Sequence, residues 1–235
     1  MKNQYFADIN DYRKYGILRV LAGKGEIRTA VCWMLTAGDR TNVDGKFTDY
    51  TEQPEKWSHF DPFLFDSLAL SLKVQENRSV NWVEENQLIP KAVYFNEFLQ
   101  DKRERRREYF ANFKSMASKS DFVFFDPDNG VEVKSVPFGR RRSNKYLYWH
   151  EIVETFSLGK SLLIYQHFIR EKRDIFIQKL VDKLVDNLSV TTVYSLRTAH
   201  VVFLLIPQSH HNNYFDEKCA EISKNWKSQI VVKKH

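Results

Sequence analysis

Asp121-Phe122-Val123-Phe124-Phe125-Asp126-Pro127-Asp128-Asn129-Gly130 is the stretch whose reading decides the fold. An apolar run of β type stops abruptly at Asp-Pro, and a second carboxylate, an amide and a glycine follow. Pro127 has no N–H to continue a ladder, and Asn129-Gly130 suits the positive φ of a tight turn. The pattern predicts a buried strand whose carboxyl end carries polar side chains. In open α/β sheets that edge is where ligands bind.

Working outward, similar units recur on both sides. Asp11 to Leu21 carries Tyr15 and Leu18 on one helical stripe, and Gly23 to Gly25 closes it. Arg28 to Thr36 reads as a buried strand broken at Ala37-Gly38-Asp39. Residues 40 to 60 are polar and turn-rich and predict a long loop. Asp61-Pro62 starts a helix reaching about Val74. A short helix near 80–87, a brief strand at 92–95 and a charged helix over 97–117 precede the central strand.

Beyond that strand, 149–158 is an amphipathic helix closed by Gly159. Ser161 to Gln166 is a second buried strand, ending at His167. A helix over 170–186 follows, with Ile175, Leu180, Val181 and Leu184 facing inward. Two strands, 190–196 and 200–206, are joined by only Arg197-Thr198-Ala199, which allows only an antiparallel pair. A helix (214–226) and a strand (228–232) form a carboxyl-terminal extension. The order predicts a single α/β domain over 1–235, a Rossmann-like three-layer sandwich. Its sheet is mostly parallel, has about seven strands and ends in an antiparallel hairpin.

The 235 residues, 43% hydrophobic and 14% aromatic, suit a folded globule. No apolar run approaches the roughly 20 residues of a membrane span. The first residues lack the apolar segment of a secretory signal. Cys32 and Cys219 are too far apart to suggest a disulfide framework or a zinc cluster, so a cytoplasmic setting is expected. The net charge of +6 is unevenly placed, in Lys102–Arg107 and Arg140–Arg142. Such clusters are the electrostatic footprint of polyanion binding. Arg103, Arg106, Arg140, Arg141, Arg142 and Lys145 are therefore candidate nucleic-acid contacts, DNA or RNA. For 102–107 a solvated helix face laced by Glu104 and Glu108 is an equal alternative.

A mainly parallel sheet closed by such a hairpin resembles the S-adenosylmethionine-dependent methyltransferase fold. Two motifs sharpen the resemblance. Asp126-Pro127 is similar to the first half of the Asp/Asn-Pro-Pro-aromatic motif of adenine-N6 methyltransferases, with Asp128-Asn129 replacing the second Pro and the aromatic. Asn10-Asp11-Tyr12-Arg13-Lys14-Tyr15 resembles the Ala-Asp-x-x-Lys-His segment that opens the ribosomal RNA adenine-N6 methyltransferase J family. Asn10 and Tyr15 replace its Ala and His. The resemblance implies that the first side chain of the motif and a backbone carbonyl hold the target amino group while the base is flipped out. Asp126 and Pro127 of this motif, with Asp128, Asn129 and His167 at the same strand ends, are the candidate catalytic residues. Lys14, Gly38 and Asp39 would bind S-adenosylmethionine. The family's glycine-rich cofactor turn is reduced here to Thr36-Ala37-Gly38-Asp39-Arg40, with Gly45 available if the loop folds back.

The same strand ends support a second chemistry. Asp39, Asp126, Asp128 and His167 would hold Mg²⁺ or Mn²⁺ and activate water against a phosphodiester. A third class, a degenerate fold that binds nucleic acid without chemistry, fits the reduced glycine loop. Either enzyme requires Asp126, Asp128, Asn129 and His167 in one cleft with Asp39 near it. Tyr146, Tyr148 and Trp149 are either a base-stacking surface or the apolar face that docks helix 149–158.

Overall fold

The computed structural model describes residues 1–38, 45, 47–76 and 78–235. Helices α1 (Ile9–Ala22), α2 (Pro54–Trp57), α3 (Pro62–Val74), α4 (Asn81–Glu85) and α5 (Arg103–Met116) lie in the first half. α6 (Trp149–Ser157), α7 (Arg173–Leu188) and α8 (Asn212–Asn225) lie in the second. The strands are β1 (Thr29–Cys32), β2 (Val93–Phe95), β3 (Phe122–Phe125), β4 (Gly130–Val131), β5 (Tyr146–Leu147), β6 (Ser161–His167), β7 (Tyr194–Arg197), β8 (Val201–Ile206) and β9 (Val231–Lys234).

Seven strands form one sheet in the order β2-β1-β3-β6-β8-β7-β9, and β4 and β5 pair separately. β2, β1, β3 and β6 are parallel neighbours. β8 runs antiparallel between β6 and β7, and β9 is antiparallel to β7 at the edge. The predicted parallel sheet closed by an antiparallel hairpin is therefore present. The carboxyl-terminal strand extends the sheet.

Strict alternation within the strands explains the three layers. Val31, Phe122, Phe124, Leu163, Phe203 and Leu205 point to one core, shared with α1, α3 and α8. Ala30, Cys32, Val123, Phe125, Leu162, Ile164, Val202 and Leu204 point to the other, shared with α5, α6 and α7. A strand buried on both faces must read as a continuous apolar run, which is how 122–125 and 201–206 read. Gly16 lies inside α1 because Trp226, just past α8, fills the space. A Cβ there would fall 2.3 Å from the indole ring.

Four expectations need correction. β1 ends at Cys32, because the backbone beyond it is used elsewhere. Met34 adopts φ +46°, and Thr36 N–H donates to Met1 O at 2.9 Å. The 40–60 stretch is not one long loop: 49–60 contains α2 and short 3-10 turns that bury Tyr50 and Trp57. Asp39 and the rest of 39–44, with Lys46, lie outside the described residues. α5 begins at Arg103 instead of 97, since Leu99 N–H donates to Leu35 O and continues the sheet edge. Ile175 is exposed on α7, and Phe176 and Ile177 take its inward place. Among the described residues no helix is long and apolar enough to cross a membrane.

Candidate functional site

The ladder between β1 and β3 runs one residue past the strand, with Asp126 N–H donating to Cys32 O at 3.0 Å. Pro127 stops it there. Because Phe125 is registered with Ile164, Asp126 emerges beside Tyr165 on β6, and His167 follows at the end of that strand. A cleft of about 480 Å³ opens at this edge, lined by residues that include Asp126, Pro127, Asp128, Asn129 and His167. The five residues predicted from strand ends thus meet in one place.

The opening of α1 supplies the opposite wall. Asp8 caps the helix, accepting from the N–H groups of Asn10 and Asp11, which is the usual chemistry of an N-cap aspartate. One turn on, Lys14 points into the sheet edge. Its Nζ lies 2.6 Å from Asp11 Oδ1 and 2.8 Å from Asp126 Oδ2, and all three side chains are almost wholly buried. Asp11 Oδ2 accepts from Ala7 N–H and Tyr15 O–H, each at 3.1 Å. Burial pushes the Asp11 carboxyl up to about 6, and the charges of Asp8 and Asp126 add to this against the pull of Lys14. Burial opposes the charge on Lys14, but its two carboxylates more than reverse that and raise its pKa.

Asp128 is satisfied differently. Its Oδ1 lies 2.8 Å from the α-ammonium of Met1, and its Oδ2 accepts from the Thr36 hydroxyl at 2.8 Å. Burial raises this carboxyl, yet the ammonium and the hydroxyl outweigh it and leave it below the ordinary value. The same ammonium donates to Asp126 O at 2.9 Å. Asp126 and Asp128 therefore face different cations. His167 Nε2 lies 3.0 Å from the Tyr165 hydroxyl. Among the described residues, no group of three or more His, Cys, Asp or Glu side chains is arranged to hold a metal ion. Asp39, the remaining member of the expected metal set, lies outside them.

Gln166 fixes the turn that carries these groups. Its Oε1 accepts from Val131 N–H at 2.8 Å, and its Nε2 donates to the carbonyls of Asn129 and His167. Gly130, at φ +117°, has no alternative: a Cβ would sit 2.3 Å from Gln166 Oε1. Of the cofactor candidates, Lys14 lines the cleft and Gly38 does not. Gly45 does line it. A Cβ on Gly45 would fall 2.5 Å from Gln4 O.

The basic clusters separate into two kinds. Arg106 is not a surface contact. It is wholly buried, and its guanidinium bonds Glu151 at 2.6 and 2.8 Å, Ser143 O at 3.0 Å and Tyr146 O at 2.6 Å. It is the anchor beneath the basic loop. Asp101 fastens the same loop from outside, accepting from the N–H groups of Arg142 and Asn144. Arg103 stays exposed and donates to Phe138 O. Arg140, Arg141 and Arg142 are exposed on the anchored loop. Lys145 lines the cleft, and its carbonyl accepts from Asn129 N–H at 2.9 Å, tying loop to turn. Tyr148 and Trp149 dock α6: Tyr148 is buried, its hydroxyl donating to Val136 O, and Trp149 packs on the core.

Asp8 and Tyr165 line the cleft and Gln166 fixes its turn, and none of the three is among the site residues that the sequence suggests. Asp8 had a legible signal, as an acid directly before an apolar-periodic helix. A larger hollow of about 690 Å³ lies behind the turn, between residues 131–138 and α7.

No family model matches the chain, and no curated protein matches it. Among solved structures it is similar to the crystal structure of protein LPL1258 from Legionella pneumophila str. Philadelphia 1, family model DUF519. The TM-score is 0.49 and the identity 9%, with 98% of this chain and 96% of that chain covered.

Proposed function

We propose that this protein is a cytoplasmic nucleic-acid-modifying enzyme, an S-adenosylmethionine-dependent methyltransferase of the adenine-N6 type. One observation carries the reading. The two segments that suggested that chemistry are far apart in sequence, yet Asp11 and Lys14 of the first meet Asp126 of the second through Lys14 Nζ. They do so at the carboxyl edge of a mostly parallel sheet, where such folds bind ligands.

The lining suits the cofactor chemically. A sulfonium with an α-ammonium is cationic, and Asp8, Asp11, Asp126 and Asp128 outnumber the cations Lys14, Lys145 and the Met1 ammonium in this cleft. By the resemblance, Lys14 would hold it, whereas Gly38 does not line this cleft. When bound, the cofactor supplies an electrophilic methyl group. Asp126 accepts a hydrogen bond from the target amino group, which keeps its nitrogen lone pair directed at the methyl. Lys14 fixes the direction of that carboxylate through the 2.8 Å contact, a role of position. Pro127 rigidifies the backbone whose carbonyl takes the second amino hydrogen. Arg140, Arg141, Arg142 and Lys145 grip phosphates beside the cleft.

Calorimetric titration tests this reading, with S-adenosylmethionine in one experiment and Mg²⁺ or Mn²⁺ in another. Cofactor binding that needs no metal supports methyl transfer. Metal binding without the cofactor reassigns the cleft to phosphodiester hydrolysis. Neither, with nucleic acid still bound, reduces it to a binding protein.

A further inference from the structure

The cleft at the carboxyl edge of the sheet carries aromatic as well as charged side chains. Four aromatic side chains line it: Tyr5, Phe47, Tyr165 and Phe168. Tyr165 is committed, with its hydroxyl on His167 and its ring edge-on to Phe203 at 5.4 Å. Phe168 packs edge-on to Phe176 at 6.1 Å and lies under the Arg173 guanidinium at 5.1 Å. Tyr5 lies under Lys2 Nζ at 5.6 Å.

Phe47 differs from all three. It is 70% exposed, and among the described residues no ring packs against it. Its backbone is nonetheless held in place. Its carbonyl accepts from Ile9 N–H at 2.9 Å, at the start of the helix that carries Asp11 and Lys14. Two residues earlier, Gly45 O accepts from Arg78, whose Nε also donates to Phe6 O at 2.6 Å. An aromatic face open to water on an anchored backbone, at the rim of a cleft, is what stacking on a nucleobase needs.

We infer that Phe47 supplies the aromatic platform on which the target base of a single-stranded nucleic acid stacks. The inference rests on the methyltransferase reading for the identity of the base, but its test does not require turnover. Single-stranded RNA and DNA oligonucleotides, each with one 2-aminopurine, are titrated into the wild-type protein and into Phe47→Ala and Phe47→Trp. In the wild-type and Phe47→Trp proteins the emission of the probe changes on binding. Phe47→Ala loses that change and binds roughly 5- to 150-fold more weakly, the range expected for one stacked base. The RNA and DNA arms show which polymer is preferred. An emission change and affinity unaltered in Phe47→Ala overturn the inference, as does wild-type binding with a silent probe. S-adenosylmethionine is titrated in parallel. A protein that fails to bind it counts against the methyltransferase reading, while the oligonucleotide result still decides the role of Phe47.

Discussion

Lys14 Nζ stands 2.8 Å from Asp126 Oδ2, joining residues 112 positions apart in a contact almost closed to water. The ammonium is shared with Asp11, so it compensates two buried carboxylates at once. Lys14→Met leaves both uncompensated and is expected to lower stability by about 3–5 kcal/mol. Asp126→Asn, which leaves Lys14 its Asp11 partner, costs less. Urea unfolding of both single variants and the double variant gives the coupling energy. Strictly additive losses would show that the three groups do not act as a unit.

The same cluster sets a pH dependence. The Asp11 carboxyl is raised from 3.8 to about 6, first by burial and then by its neighbouring carboxylates. Between these values the native state binds more protons than the unfolded chain, so this group's contribution to stability is full below about pH 4 and is lost as pH rises through about 6. Asp8, also raised by burial, has the same sign. Asp128, lowered, has the opposite sign and loses its contribution as pH falls. Carboxyl carbon NMR should place the Asp11 midpoint near 6, and Asp126→Asn should move it down by removing a like charge. A midpoint near 4 in the wild-type protein contradicts the cluster.

How much of this was legible follows from where each signal lay. The sheet was readable because strands buried on both faces are continuous apolar runs, and the cleft because polar residues follow two of those runs at once. Arg106 was misassigned because a basic run looks uniform in sequence. Its spacing to Tyr109, Phe110 and Phe113 places it on the buried stripe of α5, a signal that charge alone concealed. The link from Lys14 to Asp126 had no local trace, since only the parallel ordering of β1, β3 and β6 brings α1 over that strand end. The strand within 28–36 is shorter than its apolar run suggests, because Thr36 bonds to Met1, a contact with no trace in the local sequence.

The basic residues divide experimentally as they do in space. Arg106→Ala abandons Glu151 and two carbonyls in the interior and should cost about 3–5 kcal/mol of stability. Arg140, Arg141 and Arg142 replaced together by Ala should leave stability within about 0.5 kcal/mol. The triple variant should weaken nucleic-acid binding and reduce the slope of log affinity against log salt by roughly 2 for a single strand. An unchanged slope would assign the three arginines to a solvated surface.

Gly130 and Gln166 make a paired prediction about the turn. Gly130→Ala places a methyl group at a positive φ and against the Gln166 amide, and should cost roughly 1–3 kcal/mol. Gln166→Ala leaves the buried Val131 N–H without its acceptor, for a similar loss. Combined, they should lose less than the sum, because the smaller side chain makes room for the methyl. Thermal unfolding of the set decides this, and full additivity would mean that the clash is not the cause.

The central claim is that Asp126 presents an amino group to a methyl donor bound in the same cleft. Its most direct test is mass spectrometry of adenine-containing RNA and DNA after incubation with the protein and S-adenosylmethionine, alongside Asp126→Ala checked for cofactor binding. N6-methyladenine should form with the wild-type protein and be absent with Asp126→Ala, while the variant still binds the cofactor. A wild-type protein that binds no S-adenosylmethionine, or an Asp126→Ala variant that methylates as well as wild type, contradicts the account.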